Sequence, residues 1–345
     1  MQKRLKSLLR ARIVLFSGRL VESFQWNEMD EFEPGYVHLA RSGELARRAA
    51  DARELLARCE LCPHGCGVNR LAGERGACRS GDQPRVSSWN LHAWEEPPIS
   101  GSRGSGTIFF SGCTGRCLFC QNYPISQMGH GRDVSPAGLA GMMLELQRKG
   151  AHNINLVTPT HFLPAILAAL PPAVRGGLRL PLLYNTSGYE RPEMLRLLEG
   201  VVDLWLPDMK YADDAVARRL SGFKDYVEHN RSALLEIYRQ VGDELVLDGD
   251  GLARRGLVVR HMVLPGGLAG TGEVLRWIAA ELSPRVHVSL MDQYFPAHRA
   301  LDDPLLNRKV TPEEYEEALE ALDAAGLENG WCQDTGEEWS DPGKA

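Results

Sequence analysis

From residue 107 onward, short apolar runs alternate with stretches of helical periodicity. Six runs read as strands, at 107–110, 153–158, 180–184, 202–206, 257–264 and 286–291. Most are apolar throughout and rich in β-branched residues, as expected of strands buried on both faces. Helical segments lie between them. Ser135 followed by Pro136 starts one that Gly150 ends, and Thr271 opens another ahead of Val274, Leu275 and Ile278. Repeated strand–helix units predict a parallel sheet with right-handed crossovers. Six units fall short of a closed eight-fold ring, so the α/β fold expected is a partial (β/α)6 TIM-like barrel, with its chemistry at the carboxyl ends of the strands.

Outside that region the pattern differs. Residues 1–58 look mostly helical, interrupted at Pro34-Gly35, with Leu45, Ala49, Ala52, Leu55 and Leu56 at helical intervals. Residues 79–106, with Pro97, Pro98 and several Gly and Ser, read as a linker. The runs 244–247 and 257–263 flank Asp248 to Gly251 as a hairpin would. Thr311, Pro312 and Glu314 match a capping box with proline at the first helical position. That helix should run to Gly326 and pack over an end of the barrel.

Composition narrows the class. The chain has 345 residues and a formal charge of −6, which argues against a general nucleic-acid binder. Basic residues crowd 1–20 and acidic ones 312–341, expected as solvated ends. No apolar run approaches the roughly 18–20 residues of a membrane helix, and Ile13 to Phe16 is too short for a signal-peptide core. Seven of the eight cysteines fall in two tight groups between 59 and 120. Metal binding in a reducing cytoplasm accounts for that better than disulfides do.

Cys113, Cys117 and Cys120 stand at C-x3-C-x2-C on one loop, with Gly112 and Gly115 to bend it. Soft thiolates select zinc, copper(I) or iron–sulfur clusters. Three ligands with no histidine nearer than His130 make a poor tetrahedral zinc site. A [4Fe–4S] cluster takes four ligands, so three cysteines leave one iron open to another molecule. Upstream, Cys59, Cys62, Cys66 and Cys78 form a second constellation at C-x2-C-x3-C-x11-C, for which zinc and a second iron–sulfur cluster both qualify. Cys332 is alone and reads as a buried or incidental thiol.

With Phe119, the three loop cysteines match C-x3-C-x-aromatic-C, which resembles the radical S-adenosylmethionine (radical SAM) superfamily. The resemblance implies a [4Fe–4S] cluster, S-adenosylmethionine on the open iron, and an oxidoreductase that makes a 5′-deoxyadenosyl radical for hydrogen abstraction. It also implies a low-potential donor, flavodoxin or ferredoxin. The other strand ends sharpen it. They carry Thr158 and His161, then Asn185, Thr186, Ser187 and Gly188, then Asp208, Met209 and Lys210, then Arg260 to Gly266, then Met291 to Tyr294. Asp-Met-Lys followed by an Arg-His-x-Val-x-Pro-Gly strand looks like the pyruvate formate-lyase activating enzymes. Residues 59–332 look more like a less characterised group of their homologues, which share the upstream cysteines, Gln121-Asn122-Tyr123 and the Met-x-Gln-Tyr stretch.

On that resemblance Phe119, Thr158, Asn185, Thr186, Ser187, Asp208 and Lys210 are expected at the cofactor. Lys210 would take the methionyl carboxylate, with Asp208, Thr186 and Ser187 on the sulfonium or ribose side, although Lys210 and Asp208 also read as a local ion pair. The activating enzymes usually end the second strand in Gly-Gly-Glu-Pro. Here Val157-Thr158-Pro159-Thr160 stands in its place, without the carboxylate. Their Asp-Thr-Asn-Gly appears as Asn185-Thr186-Ser187-Gly188, also short of a charge. The divisions expected are an N-terminal helical extension (1–58), a Cys-rich metal-binding segment and linker (59–100), a radical SAM core (101–300), and a C-terminal helix with an acidic tail (301–345). The substrate class stays open among a protein glycyl site, a peptide and a small molecule. The competing readings are an iron–sulfur electron-transfer protein and a zinc-dependent interaction module.

Overall fold

This computed structural model describes residues 14–15 and 32–332. The basic N-terminal stretch, apart from residues 14–15, and the acidic tail after 332 lie outside them. All six expected strands are present: β3 (Ser105–Phe110), β5 (Ile154–Val157), β6 (Leu182–Thr186), β7 (Leu204–Pro207), β9 (Ala253–Met262) and β10 (His287–Met291). They lie side by side in sequence order and pair in parallel. A seventh parallel strand, β11 (Asn329–Cys332), joins β10. Its Asn-Gly-Trp-Cys sequence has only Trp331 to favour a strand, against Asn329 and Gly330, so propensity gave little sign of it.

The edges are antiparallel and the sheet does not close. β2 (Arg85–His92) pairs with β3 and carries β4 (Arg132–Asp133), while β1 (Val14–Leu15) pairs with β11. Two expectations are corrected here. The stretch read as a linker contains an eight-residue strand, because Trp89 and Val86 find a packed neighbour in the helix Pro136–Arg148 and in β3. Val14–Leu15, in a region read as helical, is an edge strand. The expected hairpin forms between β8 (Val246–Leu247) and β9.

Alternation assigns two faces to the sheet. Ile108, Leu156, Tyr184 and Trp205 are in register and join the main core with the helices Pro136–Arg148, Leu163–Arg175 and Tyr226–Val241. Their neighbours along the strands, Leu183, Leu204, Leu206 and Val258, form a separate cluster with Ile99 on the concave face. Burial of this kind stabilises by roughly 25 cal/mol per Å² of apolar surface. The helix Pro136–Arg148 starts at Ser135, whose hydroxyl accepts from Gly138 N. The Thr311 capping box is complete, and the helix Pro312–Ala325 ends at left-handed Gly326. That helix packs beside Thr271–Trp277 as the crossover into β11, rather than across a barrel end. Among the described residues no helix is long and apolar enough to cross a membrane.

Candidate functional site

Toward the carboxyl ends of the strands the concave face is the open one. Phe109, Val157, Asn185, Asp208, Arg260 and Met262 are half-buried, whereas the outward residues between them are buried. The cysteine loop leaves β3 directly at this end. Gly112 turns it with φ +83, and a Cβ there would stand 2.8 Å from the Cys78 carbonyl, so no side chain fits. His161 Nε2–H donates to Ser111 O at 3.0 Å, and burial pushes this imidazole down to about 3, keeping it neutral. His161 thus clamps the start of the loop and is itself fully enclosed.

The loop is held from the far side by the C-terminus of the helix Asp214–Ser221. Arg116 N donates to Ser221 O and Leu118 N to Leu220 O, both at 2.8 Å, so two carbonyls left free by the helix end are satisfied by the loop. Each cysteine sulfur has a hydrogen-bond partner. Gly115 N donates to Cys113 Sγ at 3.2 Å, the Ser221 hydroxyl donates to Cys117 Sγ at 3.0 Å, and Cys120 Sγ and Ser126 Oγ lie 3.1 Å apart. Burial, then the neighbouring Cys117 thiol, pushes Cys113 up to about 12, while Lys210 pulls the other way. Thiols in such a place ionise together only beside concentrated positive charge, and the donor set suits an iron–sulfur group.

Phe119 is buried beneath the loop against Tyr294, with ring centroids 5.7 Å apart. Gln121 reaches Gln293 O at 3.2 Å and Tyr123 stacks on His298, so the Gln-Asn-Tyr segment meets the strand end after β10. Lys210 Nζ lies 2.5 Å from Asp208 Oδ2. Burial works to lower the lysine, but Asp208 and Cys117 outweigh it and its pKa rises. The ion pair is real, and it faces the cysteines. Asn185 and Ser187 are half-buried at the neighbouring strand end. Gly188 approaches the Asp208 carbonyl so closely that a Cβ would stand 2.2 Å from it. Thr158 has φ +57, a conformation rarely taken by a β-branched residue.

Thr186 faces away from the others. Its hydroxyl and that of Thr160 both donate to Glu190 Oε1, a residue the strand-end reading passed over. Burial pushes Glu190 up to about 7. Also unforeseen is a buried charge cluster on the concave face. Arg260 Nε stands 3.0 Å from Glu96 Oε1 and its Nη2 3.5 Å from Glu95 Oε2, while Asn155 Nδ2 donates to Glu95 at 3.0 Å. The adjacent acids before Pro97-Pro98 were the only signal, and they sat in the supposed linker.

The upstream cysteines abut the same loop. His64 Nε2 bonds the Thr114 carbonyl at 2.6 Å, and Arg116 Nη2 donates to Ala77 O at 2.6 Å. Cys62, its thiol raised chiefly by burial, also feels Cys78 and Cys66, whereas Cys59 Sγ lies 3.7 Å from Arg70 Nη1. Among the described residues no three His, Cys, Asp or Glu side chains converge as ligands of one metal ion. Cys332 is a half-buried residue of β11 whose thiol burial raises to about 11.

The sequence profile of the radical SAM superfamily matches residues 107–248. An uncharacterized protein of Methanocaldococcus jannaschii is 31% identical over 318 residues, spanning 89% of this chain and 84% of its own. Among solved structures, a radical SAM methyltransferase from Sphaerobacter thermophilus has a TM-score of 0.44 at 16% identity. That likeness covers 66% of each chain, just under two thirds. Radical SAM proteins bind a [4Fe–4S] cluster and S-adenosylmethionine and draw on a low-potential reductant such as flavodoxin or ferredoxin. With the cysteine loop at the mouth of a partial parallel barrel and a relative similar over most of its length, this chain belongs to the radical SAM superfamily of S-adenosylmethionine-cleaving enzymes.

Proposed function

We propose that Cys113, Cys117 and Cys120 hold the [4Fe–4S] cluster and that S-adenosylmethionine binds between it and the Lys210–Asp208 pair. The observation that carries this reading is the enclosed setting shared by the Cys113 and Cys117 thiols and the Lys210 ammonium group, with Cys120 on the same loop, in which Lys210 favours the ionised form of the first two sulfurs. Held by Cys113, Cys117 and Cys120, the cluster would supply one-electron reductive cleavage of S-adenosylmethionine to methionine and a 5′-deoxyadenosyl radical able to abstract hydrogen.

The chain supplies position and exclusion of water. Lys210 orients the methionyl carboxylate as a point charge. Asp208 holds that ammonium in place and, with Asn185 and Ser187, offers acceptors to the nucleoside side. Thr158 presents backbone at a turn where the activating enzymes carry glycine. Phe119 seals the underside of the loop with Tyr294. Thr186 supports the strand end through Glu190 rather than touching the cofactor.

Segment 59–100 is proposed as a unit bearing a second metal site, at Cys59, Cys62, Cys66 and Cys78. Four thiolates suit a structural zinc ion and an iron–sulfur cluster alike, and metal analysis of the purified protein separates the two. The finer reading, activation of a partner protein by removal of a glycyl hydrogen, is supported by the Asp208-Met209-Lys210 stretch that carries the pair and by the Arg260 to Gly266 stretch bridged to it.

The test is anaerobic reconstitution followed by strong reduction. Iron, sulfide and 5′-deoxyadenosine should all appear, and Cys117→Ala should abolish the nucleoside. A reducible cluster with no 5′-deoxyadenosine would sink this reading in favour of simple electron transfer. Deuterium carried from a labelled candidate protein or small molecule into 5′-deoxyadenosine would identify the substrate class.

A further inference from the structure

Three guanidinium groups crowd the seam between the two cysteine sets. Arg116, inside the cysteine loop, is half-buried and feels Arg79 and Arg299 together with the thiols of Cys113 and Cys78. Its Nη2 is fixed on Ala77 O, and its own carbonyl accepts from Arg299 Nη2 at 3.2 Å. Arg79 and Arg299 are exposed. Among the described residues none of these three forms an ion pair with a carboxylate. Beside them opens a cleft of about 290 Å³ whose lining includes Arg75, Cys78, Arg79 and Gly112, and whose two carboxylates, Asp82 and Asp133, are already paired with Arg53 and Arg85.

Like charges held together are unfavourable unless something negative meets them. The chain carries 45 acids against 39 Lys and Arg, so carboxylates to neutralise a surface cluster were not scarce. Arg116 is accounted for by the thiols beside it. Exposed Arg79 and Arg299 extend the positive charge outward from the sulfurs into solvent, where it acts on an approaching molecule.

We infer that Arg79, Arg299 and the flanking Arg75 form the docking surface for an acidic electron-donor protein, at the seam where the two cysteine sets adjoin. The inference rests on the cluster assignment proposed above. It adds a location, because the donor meets the seam and leaves the concave face free for S-adenosylmethionine and substrate. It also gives the upstream cysteines a reason to lie there, under the same contact.

The test is stopped-flow reduction of the reconstituted holoenzyme by two donors of opposite charge, an acidic flavodoxin hydroquinone and the reduced methyl viologen cation. For the natural chain, the flavodoxin rate constant should fall steeply with ionic strength. Arg79→Glu with Arg299→Glu should lower it about tenfold or more at low salt and flatten the salt dependence. The same variant should be reduced by methyl viologen at least as fast as the natural chain, which also shows that its cluster is intact. Unchanged flavodoxin kinetics, or equal slowing with both donors, overturns the docking surface even if the enzyme cleaves S-adenosylmethionine normally. Protein with no reducible cluster at all counts against the parent reading, and against this one with it.

Discussion

The Ser221 hydroxyl donates to Cys117 Sγ across 3.0 Å, and the same oxygen meets the buried Tyr211 hydroxyl at 2.6 Å. A tyrosine, a helix-terminal serine and a loop cysteine are therefore in series. Hydrogen bonds to cluster sulfurs stabilise the more reduced, more negative state. Ser221→Ala should keep the cluster but make it harder to reduce, by about 1–2 kcal/mol for one such bond. Redox titration of the holoenzyme checks this, and an unmoved potential would show that the bond does not act on the cluster.

Lys210→Met should weaken S-adenosylmethionine binding by roughly 10- to 100-fold, from the loss of a charge-assisted contact of about 1.5–3 kcal/mol. The single change also strands Asp208, whose side chain is only 18% exposed. Lys210→Met with Asp208→Asn should therefore recover thermal stability while staying weak in binding. Calorimetric titration and thermal melts separate the two effects.

Thr158 pays for its turn in strain. A β-branched residue at positive φ costs on the order of 1–3 kcal/mol, while glycine loses about 0.5–1 kcal/mol through the entropy of the unfolded chain. The first effect is the larger, so Thr158→Gly should stabilise the protein by about 1 kcal/mol in denaturant titration. Thr158→Val keeps the strain and should bring no gain.

Glu190 ties stability to pH. Its folded pKa, pushed by burial from an ordinary 4.5 to about 7, lies above its unfolded value. The folded chain thus holds the proton more tightly. Its contribution is complete below about pH 4.5 and is lost as pH rises to about 7, on the order of 3 kcal/mol across that window. Glu190→Gln keeps the shape and the acceptor for Thr160 and Thr186 but cannot ionise. Urea titrations at several pH values should show this variant with a flatter curve than the natural chain.

Local sequence determined much of this protein. The six strands, the Ser135 and Thr311 helix starts, the cysteine spacing and the Asp208–Lys210 pair were legible because each depends on neighbours a few residues away. What surrounds the site was decided by contacts between distant segments. Ser221 meets Cys117 across 104 positions, His161 clamps Ser111 across 50, and Arg260 finds Glu95 and Glu96 only because β2 folds back beside β3. Thr186 shows the same division. Its position at a strand end was readable, but the half-turn between successive strand residues sends its hydroxyl to Glu190 and leaves Asn185 facing the concave side. Spacing along the chain names the groups that do the chemistry; packing across it sets their direction, their charge and their access to solvent.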